Sequence, residues 1–276
     1  MFTLNCRGRL LVITRPLVMG IINTTPDSFF EGSRASENNL LQTAERMLNE
    51  GAAMLDMGGQ STRPGSTHVG EEEELARVIS AVAAVHTRFP EAIISIDTFY
   101  ARVAAEAVSA GAVLVNDISG GLLDPQMLST VAALQTPFIC MHMKGNPQTM
   151  QQLASYDDIA VEVLDYFIER TASCQKAGIH DVIIDPGFGF AKTIAQNFSL
   201  LKRMQVLKML KKPIMVGLSR KGTVYKTLGS SAAEALNGST VLHTLALPQG
   251  AHILRVHDVK EAVEAITLFC AYNDAD

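Results

Sequence analysis

Residues 92–119 read AIISIDTFYARVAAEAVSAGAVLVNDIS: two short apolar runs, each ending on acidic or amide side chains, Asp97 in the first and Asn116 with Asp117 in the second. An apolar run of this length, without alternation, is the signature of a strand buried on both faces. A polar residue at its end is where such a strand leaves the core. Working outward from this stretch, the same pattern recurs at Leu17–Asn23, Ala53–Gly58, Pro137–His142, Val182–Asp185, Pro213–Leu218 and His252–Val256, which with Ala92–Asp97 and Val113–Ile118 makes eight candidate strands. Longer amphipathic stretches separate them, the clearest being Glu71–Arg88, where Leu75, Val78, Ile79, Val82 and Val85 recur at helical spacing behind an acidic first turn.

Eight β-α units can close into a barrel or open into a doubly wound sheet, and the strand ends discriminate. In an open sheet only the loops at the switch point converge on a site, whereas in a closed barrel all eight strand ends surround one mouth. Here Asn23, Asp56, Asp97, Asn116 with Asp117, His142, Asp185, Ser219 with Arg220 and Lys221, and Arg255 with His257 fall at or just past nearly every strand end. The expectation is a closed (β/α)8 TIM barrel. Phe2–Cys6 and Leu10–Thr14, flanking Arg7-Gly8-Arg9, read as an N-terminal β-hairpin that closes the barrel floor.

The chain has 276 residues, a size that one α/β barrel reaches, and no domain linker or sequence repeat is visible, so residues 1–276 are expected to form one domain. With 47% hydrophobic and 18% charged residues the composition is that of an ordered globular protein. A net charge of −5 provides no broad basic field, which argues against a nucleic-acid partner. No run approaches the length of a membrane span and the first residues lack a leader pattern, so a cytoplasmic location away from membranes is expected. Cys6, Cys140, Cys174 and Cys270 match no zinc or redox spacing and read as reduced thiols.

Five strings carry a family resemblance: Gly20-Ile21-Ile22-Asn23-Thr24-Thr25-Pro26-Asp27-Ser28-Phe29, Asp56-Met57-Gly58-Gly59-Gln60-Ser61-Thr62-Arg63-Pro64-Gly65, Asp185-Pro186-Gly187-Phe188-Gly189-Phe190, Ser219-Arg220-Lys221 and Arg255-Val256-His257-Asp258-Val259. In this order, at successive strand ends, they resemble the signatures of the dihydropteroate synthases. Three departures stand out. Gln60 replaces the family's usual acidic residue, Phe30-Glu31-Gly32 replaces its Ser-Asp-Gly, and Ala191 stands where a glycine usually precedes the lysine.

The resemblance implies a transferase of folate biosynthesis, of the kind that sulfonamides target. It would join a pterin methyl diphosphate to 4-aminobenzoate and release diphosphate. A pterin's amino-pyrimidinone edge presents N–H groups beside acceptors, which a buried carboxylate and an amide complement; Asp97, Asn116 and Asp185 supply that set. Arg63, Arg255 and His257 are the candidates for the diphosphate, where charge grows as it leaves, and the resemblance allows Arg255 to lie on the pterin face instead. Lys221 offers a compact donor to a pterin heteroatom. By resemblance, Asn23 is a magnesium ligand, and Thr62, Pro64, Phe190 and Ser219 shape the 4-aminobenzoate slot. Asp27 can stabilise a passing cation or cap a turn. Asp56 can orient Asn23 or Arg63 or accept from loop amides. Thr24–Asn38 and Gln60–Gly70 have the composition of lids, and His142 reads as a polar residue of the mouth rather than a metal ligand. A homodimer through the later helices is implied by the family alone. Rival readings are a pterin-binding methyltransferase serving a corrinoid partner, a catalytically silent pterin-binding paralogue, and a phosphate-binding barrel of other chemistry.

Overall fold

Alternation along each strand sorts its side chains to two sides of one sheet. On β4 (Met54–Gly58), Met54 belongs to an apolar cluster inside the sheet, whereas Leu55 and Met57 belong to the larger cluster between sheet and helices. The same division holds on β6 (Leu114–Asp117), with Leu114 inside and Val115 outside, and on β7 (Phe138–Met141), with Ile139 inside and Phe138 and Cys140 outside. These assignments come from a computed structural model that describes residues 1–24, 34–60 and 69–275, with the side chains of 34–36 excepted.

The sheet has eight parallel strands. β3 (Leu17–Asn23) pairs with β4, β4 with β5 (Ile93–Asp97), β5 with β6, β6 with β7 and β7 with β8 (Val182–Asp185). β10 (Ile253–Val256) pairs with β3 on one side and with the short β9 (Met215–Val216) on the other. One isolated parallel bridge, Ile184 to Ile214, joins β8 to β9, with Ile184 N–H donating to the Pro213 carbonyl at 3.0 Å. The sheet is thus nearly closed, and the expected barrel is found. β9 is shorter than the expected Pro213–Leu218 because Pro213 has no N–H for a ladder and pairing ends after Val216.

Nine helices are described between and after the strands: α1 (Arg34–Asn49), α2 (Glu71–Arg88), α3 (Ala101–Ser109), α4 (Met127–Leu134), α5 (Ile159–Ala177), α6 (Ile194–Arg203), α7 (Gly222–Leu228), α8 (Leu236–Ala246) and α9 (Val259–Asn273). α2 has the expected bounds. Its four glutamates, Glu71 to Glu74, lie at the positive end of the helix dipole, and Leu75, Val78, Val82 and Val85 are buried against the sheet, with Ile79 at the edge of that face. Among the described residues no helix is long and apolar enough to cross a membrane.

Before the barrel, β1 (Phe2–Cys6) and β2 (Arg9–Ile13) form the expected hairpin. Its two-residue turn has positive φ at both Arg7 and Gly8, the twist that lets a tight hairpin follow its strands. Leu4, Cys6 and Ile13 are buried with Met19, Met54, Leu114, Ile139, Ile183, Met215 and Ile253. Asn5 N–H donates to Asp181 just before β8, and Arg9 donates to the Pro90 carbonyl before β5. Cys6, Cys140 and Cys174 are buried free thiols and Cys270 is half-buried.

Candidate active site

At the C-terminal ends of the strands the inward positions become polar. Asp56, two residues after Met54 on β4, is fully buried; its Oδ2 accepts from Asn116 Nδ2 at 3.0 Å and from Arg255 Nε at 2.6 Å. A second guanidinium nitrogen of Arg255 donates to Asp97 Oδ2 at 2.5 Å. One network therefore runs Asn116–Asp56–Arg255–Asp97 across β6, β4, β10 and β5. Burial opposes the charge of Arg255, but Asp56 and Asp97 more than offset that and raise its pKa. The guanidinium is held by two carboxylates, a placement the strand-end pattern does not reveal.

Burial also pushes the Asp97 carboxyl up to about 7; Arg255 opposes the shift, and Asp56, Glu74 and Asp117 add to it. Asp185, at the end of β8, is buried, and its pKa is raised by that burial against the opposing pull of Lys221. Its Oδ1 accepts the Gly187 N–H at 2.8 Å.

Lys221 precedes α7 and its Nζ donates to the Phe188 carbonyl, 4.7 Å from the centre of the Phe190 ring. Desolvation brings its pKa down to about 8, with Asp185 opposing and Arg255 reinforcing the fall. The turn that holds it needs glycine: Gly187 has φ +68° and a Cβ there would lie 2.1 Å from the His142 carbonyl oxygen. Gly189 has φ +84°, and its missing Cβ leaves room for the Lys221 stem. Ser219 Oγ lies 3.1 Å from His257 Nδ1 and accepts the His257 N–H at 3.2 Å, tying the end of the β9 region to the end of β10.

Of the residues expected at the site, Asp97, Asn116, Asp185, Phe190, Ser219, Lys221, Arg255 and His257 lie at strand ends or in the turns that follow them. Asn23 ends β3 in register with Gly58 of β4 and is half-buried. Asp27, Thr62, Arg63 and Pro64 lie outside the described residues, as do the greater parts of the two expected lids. Arg220 has a structural role: it pairs with Asp258 through Nε and NH2 at 2.9 Å each and donates to the Ala232 and Ala233 carbonyls.

His142 is buried, with Nδ1 2.9 Å from the Nζ of an equally buried lysine, Lys192, and burial lowers its pKa to about 2. Lys192 and Glu74 are absent from the expected site. Glu74 is fully buried, Gln60 Nε2 donates to it at 2.7 Å and to the Val69 carbonyl at 2.7 Å, and burial raises its pKa to about 7. Glu74 carries no local signal, an acidic residue in a helix's first turn being an ordinary surface pattern, and Lys192 stands in the sequence only as the motif lysine after Ala191, with nothing local to mark it as buried.

Among the described residues no three His, Cys, Asp or Glu side chains gather where they could hold a metal ion; Asn23, the expected magnesium ligand, brings an amide to the end of β3.

Comparison with known proteins agrees with this geometry. A family described as "Pterin binding enzyme" matches residues 19–257. The dihydropteroate synthase of Escherichia coli (strain K12) is 45% identical over 265 residues, which cover 94% of this chain and 93% of that protein. Among solved structures, the Yersinia pestis dihydropteroate synthase in a sulfonamide drug complex superposes with a TM-score of 0.93 at 42% identity, covering 99% of this chain and 100% of that one. The Xanthomonas albilineans dihydropteroate synthase in complex with 7,8-dihydropteroate gives 0.89 at 37% identity, covering both chains fully (100% each).

Proposed function

We infer that this chain, which belongs to the dihydropteroate synthase family of pterin-binding enzymes, is a transferase that joins 7,8-dihydropterin-6-ylmethyl diphosphate to 4-aminobenzoate in folate biosynthesis, giving 7,8-dihydropteroate and diphosphate. The observation that carries this reading is the ring of mixed donors and acceptors at one barrel mouth. Asp97, Asp185 and Asn116 offer acceptors and an amide to the pterin's N–H-bearing edge, and Lys221 offers a donor beside them. Arg255, anchored by Asp56 and Asp97, presents a guanidinium oriented in advance rather than a swinging side chain, which suits stacking on a planar ring.

In the reaction the bond between the pterin methylene carbon and the diphosphate oxygen breaks, and its electron pair leaves with the diphosphate. The amine nitrogen of 4-aminobenzoate then bonds to the carbon and gives up a proton. The pterin ring delocalises the positive charge between these events, so no enzyme nucleophile is required. His257 with Ser219, and Arg63 by resemblance, stabilise the departing diphosphate. Magnesium, held by Asn23 and the diphosphate oxygens, would supply charge neutralisation there. Thr62, Pro64, Phe190 and Ser219 form the 4-aminobenzoate slot, and Asp27 supports the cationic stage.

The same reading treats residues 1–276 as one domain with hairpin β1–β2 closing its floor, and places the enzyme in the cytoplasm as a homodimer. Exposed Val241 and Leu245 on α8 and Leu268 and Tyr272 on α9 support a dimer face on the later helices.

The test is diphosphate release from the pterin diphosphate with magnesium, with and without 4-aminobenzoate. Release that depends on 4-aminobenzoate and yields dihydropteroate is expected in the wild type and lost in Lys221→Ala. Tight pterin binding without release would instead indicate a silent binder or a methyltransferase, and no binding would end the pterin reading.

A further inference from the structure

Behind the turn that grips Lys221 lies a second lysine that the reaction scheme does not use. Lys192 is only 4% exposed, and among the described residues it makes no salt bridge. Its Nζ is surrounded by the Gly187 carbonyl at 2.9 Å, the Phe190 carbonyl at 3.0 Å and His142 Nδ1 at 2.9 Å. With the more distant His142 carbonyl at 3.5 Å the nitrogen has four polar neighbours, and its two close carbonyl partners stand at the two ends of one four-residue turn, Gly187 to Phe190.

That turn is closed by its own hydrogen bond, Phe190 N–H to the Gly187 carbonyl at 3.1 Å, and passes through the left-handed region. Gly187 and Gly189 have φ of +68° and +84°, and Ala191 follows at +48°, a left-handed region that a side chain disfavours. Its further fixings include the Gly187 N–H to Asp185 Oδ1 at 2.8 Å, the Gly189 N–H to Asn197 Oδ1 at 2.8 Å and the Tyr156 hydroxyl to the Ala191 carbonyl at 2.9 Å. Among the described side chains only that of Lys192 donates to the carbonyls at both ends of the turn, and the carbonyl between those ends, that of Phe188, accepts from Lys221. His142 in turn is held edge-on to Tyr166, ring centres 4.8 Å apart, so the ring nitrogen facing Lys192 is itself fixed.

We propose that Lys192 is a positioning residue for the pterin pocket: from the buried side of the 187–190 turn it fixes the Phe188 carbonyl and the Phe190 ring, and through them the ammonium of Lys221. A buried lysine is costly to desolvate, and burial does draw its pKa well below the ordinary lysine range. Simple packing would be served better by an apolar side chain. The inference rests on the pterin reading given above.

The test is a double-mutant cycle on Lys192→Met and Lys221→Ala, read as affinity for 7,8-dihydropteroate by calorimetry on the full chain, with folding checked by circular dichroism. If Lys192 acts through Lys221, Lys192→Met weakens binding about tenfold in the parent chain but less than about threefold once Lys221 is already alanine, because coupled sites are not additive. Equal losses in both backgrounds, or no loss in the parent, would overturn the proposal. Should Lys192→Met fail to fold, His142→Leu, which removes the ring partner of Lys192 and leaves both lysines in place, carries the same cycle with the same outcomes. A wild-type chain that binds no dihydropteroate overturns the pterin reading and this inference with it.

Discussion

Met54 and Asp56 lie two residues apart on β4 and face the same barrel interior, yet their surroundings differ completely. Met54 shares one apolar cluster with Met19, Leu114, Ile139, Ile183, Met215 and Ile253, and with Leu4, Cys6 and Ile13 of the hairpin. Asp56 is as deeply buried but is held by Arg255 and Asn116, with Asp97 one link further on. Strand geometry sends both side chains inward; distance along the strand decides which chemistry each meets. Burying charged groups costs several kcal/mol per ion before their attraction offsets it, whereas burying apolar side chains stabilises by roughly 1.5–3 kcal/mol each. The apolar end therefore serves stability alone while the mouth also serves the chemistry, and mutations at the two ends should differ in their effect on activity rather than on stability.

The largest effect that would sharpen this comparison comes from truncating both residues. Asp56→Ala strips Arg255 of one of its two carboxylates and Asn116 of its acceptor. Loss of one partner of a buried pair costs about 3–5 kcal/mol, and misplacing site donors costs on the order of 100-fold in turnover. Met54→Ala should destabilise by a comparable amount, about 2–5 kcal/mol, while kcat/KM of the folded protein stays within about twofold, since no substrate-facing group moves. Urea unfolding and steady-state kinetics on both variants separate the two. A Met54→Ala enzyme as inactive as Asp56→Ala would break the division of labour.

A second contrast is with pH. Cys6, at the apolar end, has its pKa pushed up to about 11 by burial, so it stays a neutral thiol across the ordinary range. Around the mouth, burial raises Glu74 and Asp97 to about 7 each and Asp117 to about 6. For a carboxyl whose folded pKa is raised, the folded state binds the proton more tightly than the unfolded chain. The stability it contributes is fully present below the unfolded pKa and is lost as pH rises through the folded value. The melting temperature should therefore decline from pH 5 to pH 8 on account of these groups. Glu74→Gln, which keeps an acceptor for Gln60 and removes one titration, should shrink that decline by an amount equivalent to a few kcal/mol at most. Wild type and variant sharing one pH dependence would show that Glu74 does not titrate in this window.

Much of this was legible in the sequence, for a physical reason. Strands buried on both faces are apolar throughout, so a single Asp inside Met54-Leu55-Asp56-Met57 stands out, and the strand ends mark the mouth. The partners were not legible. Arg255 meets Asp56 and Asp97 from 199 and 158 residues away, and only barrel closure brings them together. Lys192 and His142, 50 residues apart, show nothing in their local sequence of being a buried pair. Asp56 could be placed on its strand, but its acceptor role toward Asn116 and Arg255 depended on the neighbours' register. Ala191 was visible as a departure from the family's glycine, and its cost becomes readable only with a φ of +48°.

That alanine offers the smallest effect, and it tests whether the mouth stores backbone strain where regular elements of the same molecule do not. Ala191 and Ala104, the latter in α3, are both fully buried, so Ala→Gly deletes an equivalent methyl at each site. In the helix the change also removes helix propensity, about 1 kcal/mol. In the turn the glycine instead relieves a left-handed conformation that costs an L-residue roughly 1–2 kcal/mol, partly offset by the greater freedom of the unfolded glycine chain, about 0.4–1 kcal/mol. Ala191→Gly should accordingly be less destabilising than Ala104→Gly by about 1–2 kcal/mol in urea unfolding. Equal losses would mean that the turn holds Ala191 without strain, and that the mouth departs from the rest of the barrel in its charges but not in its backbone.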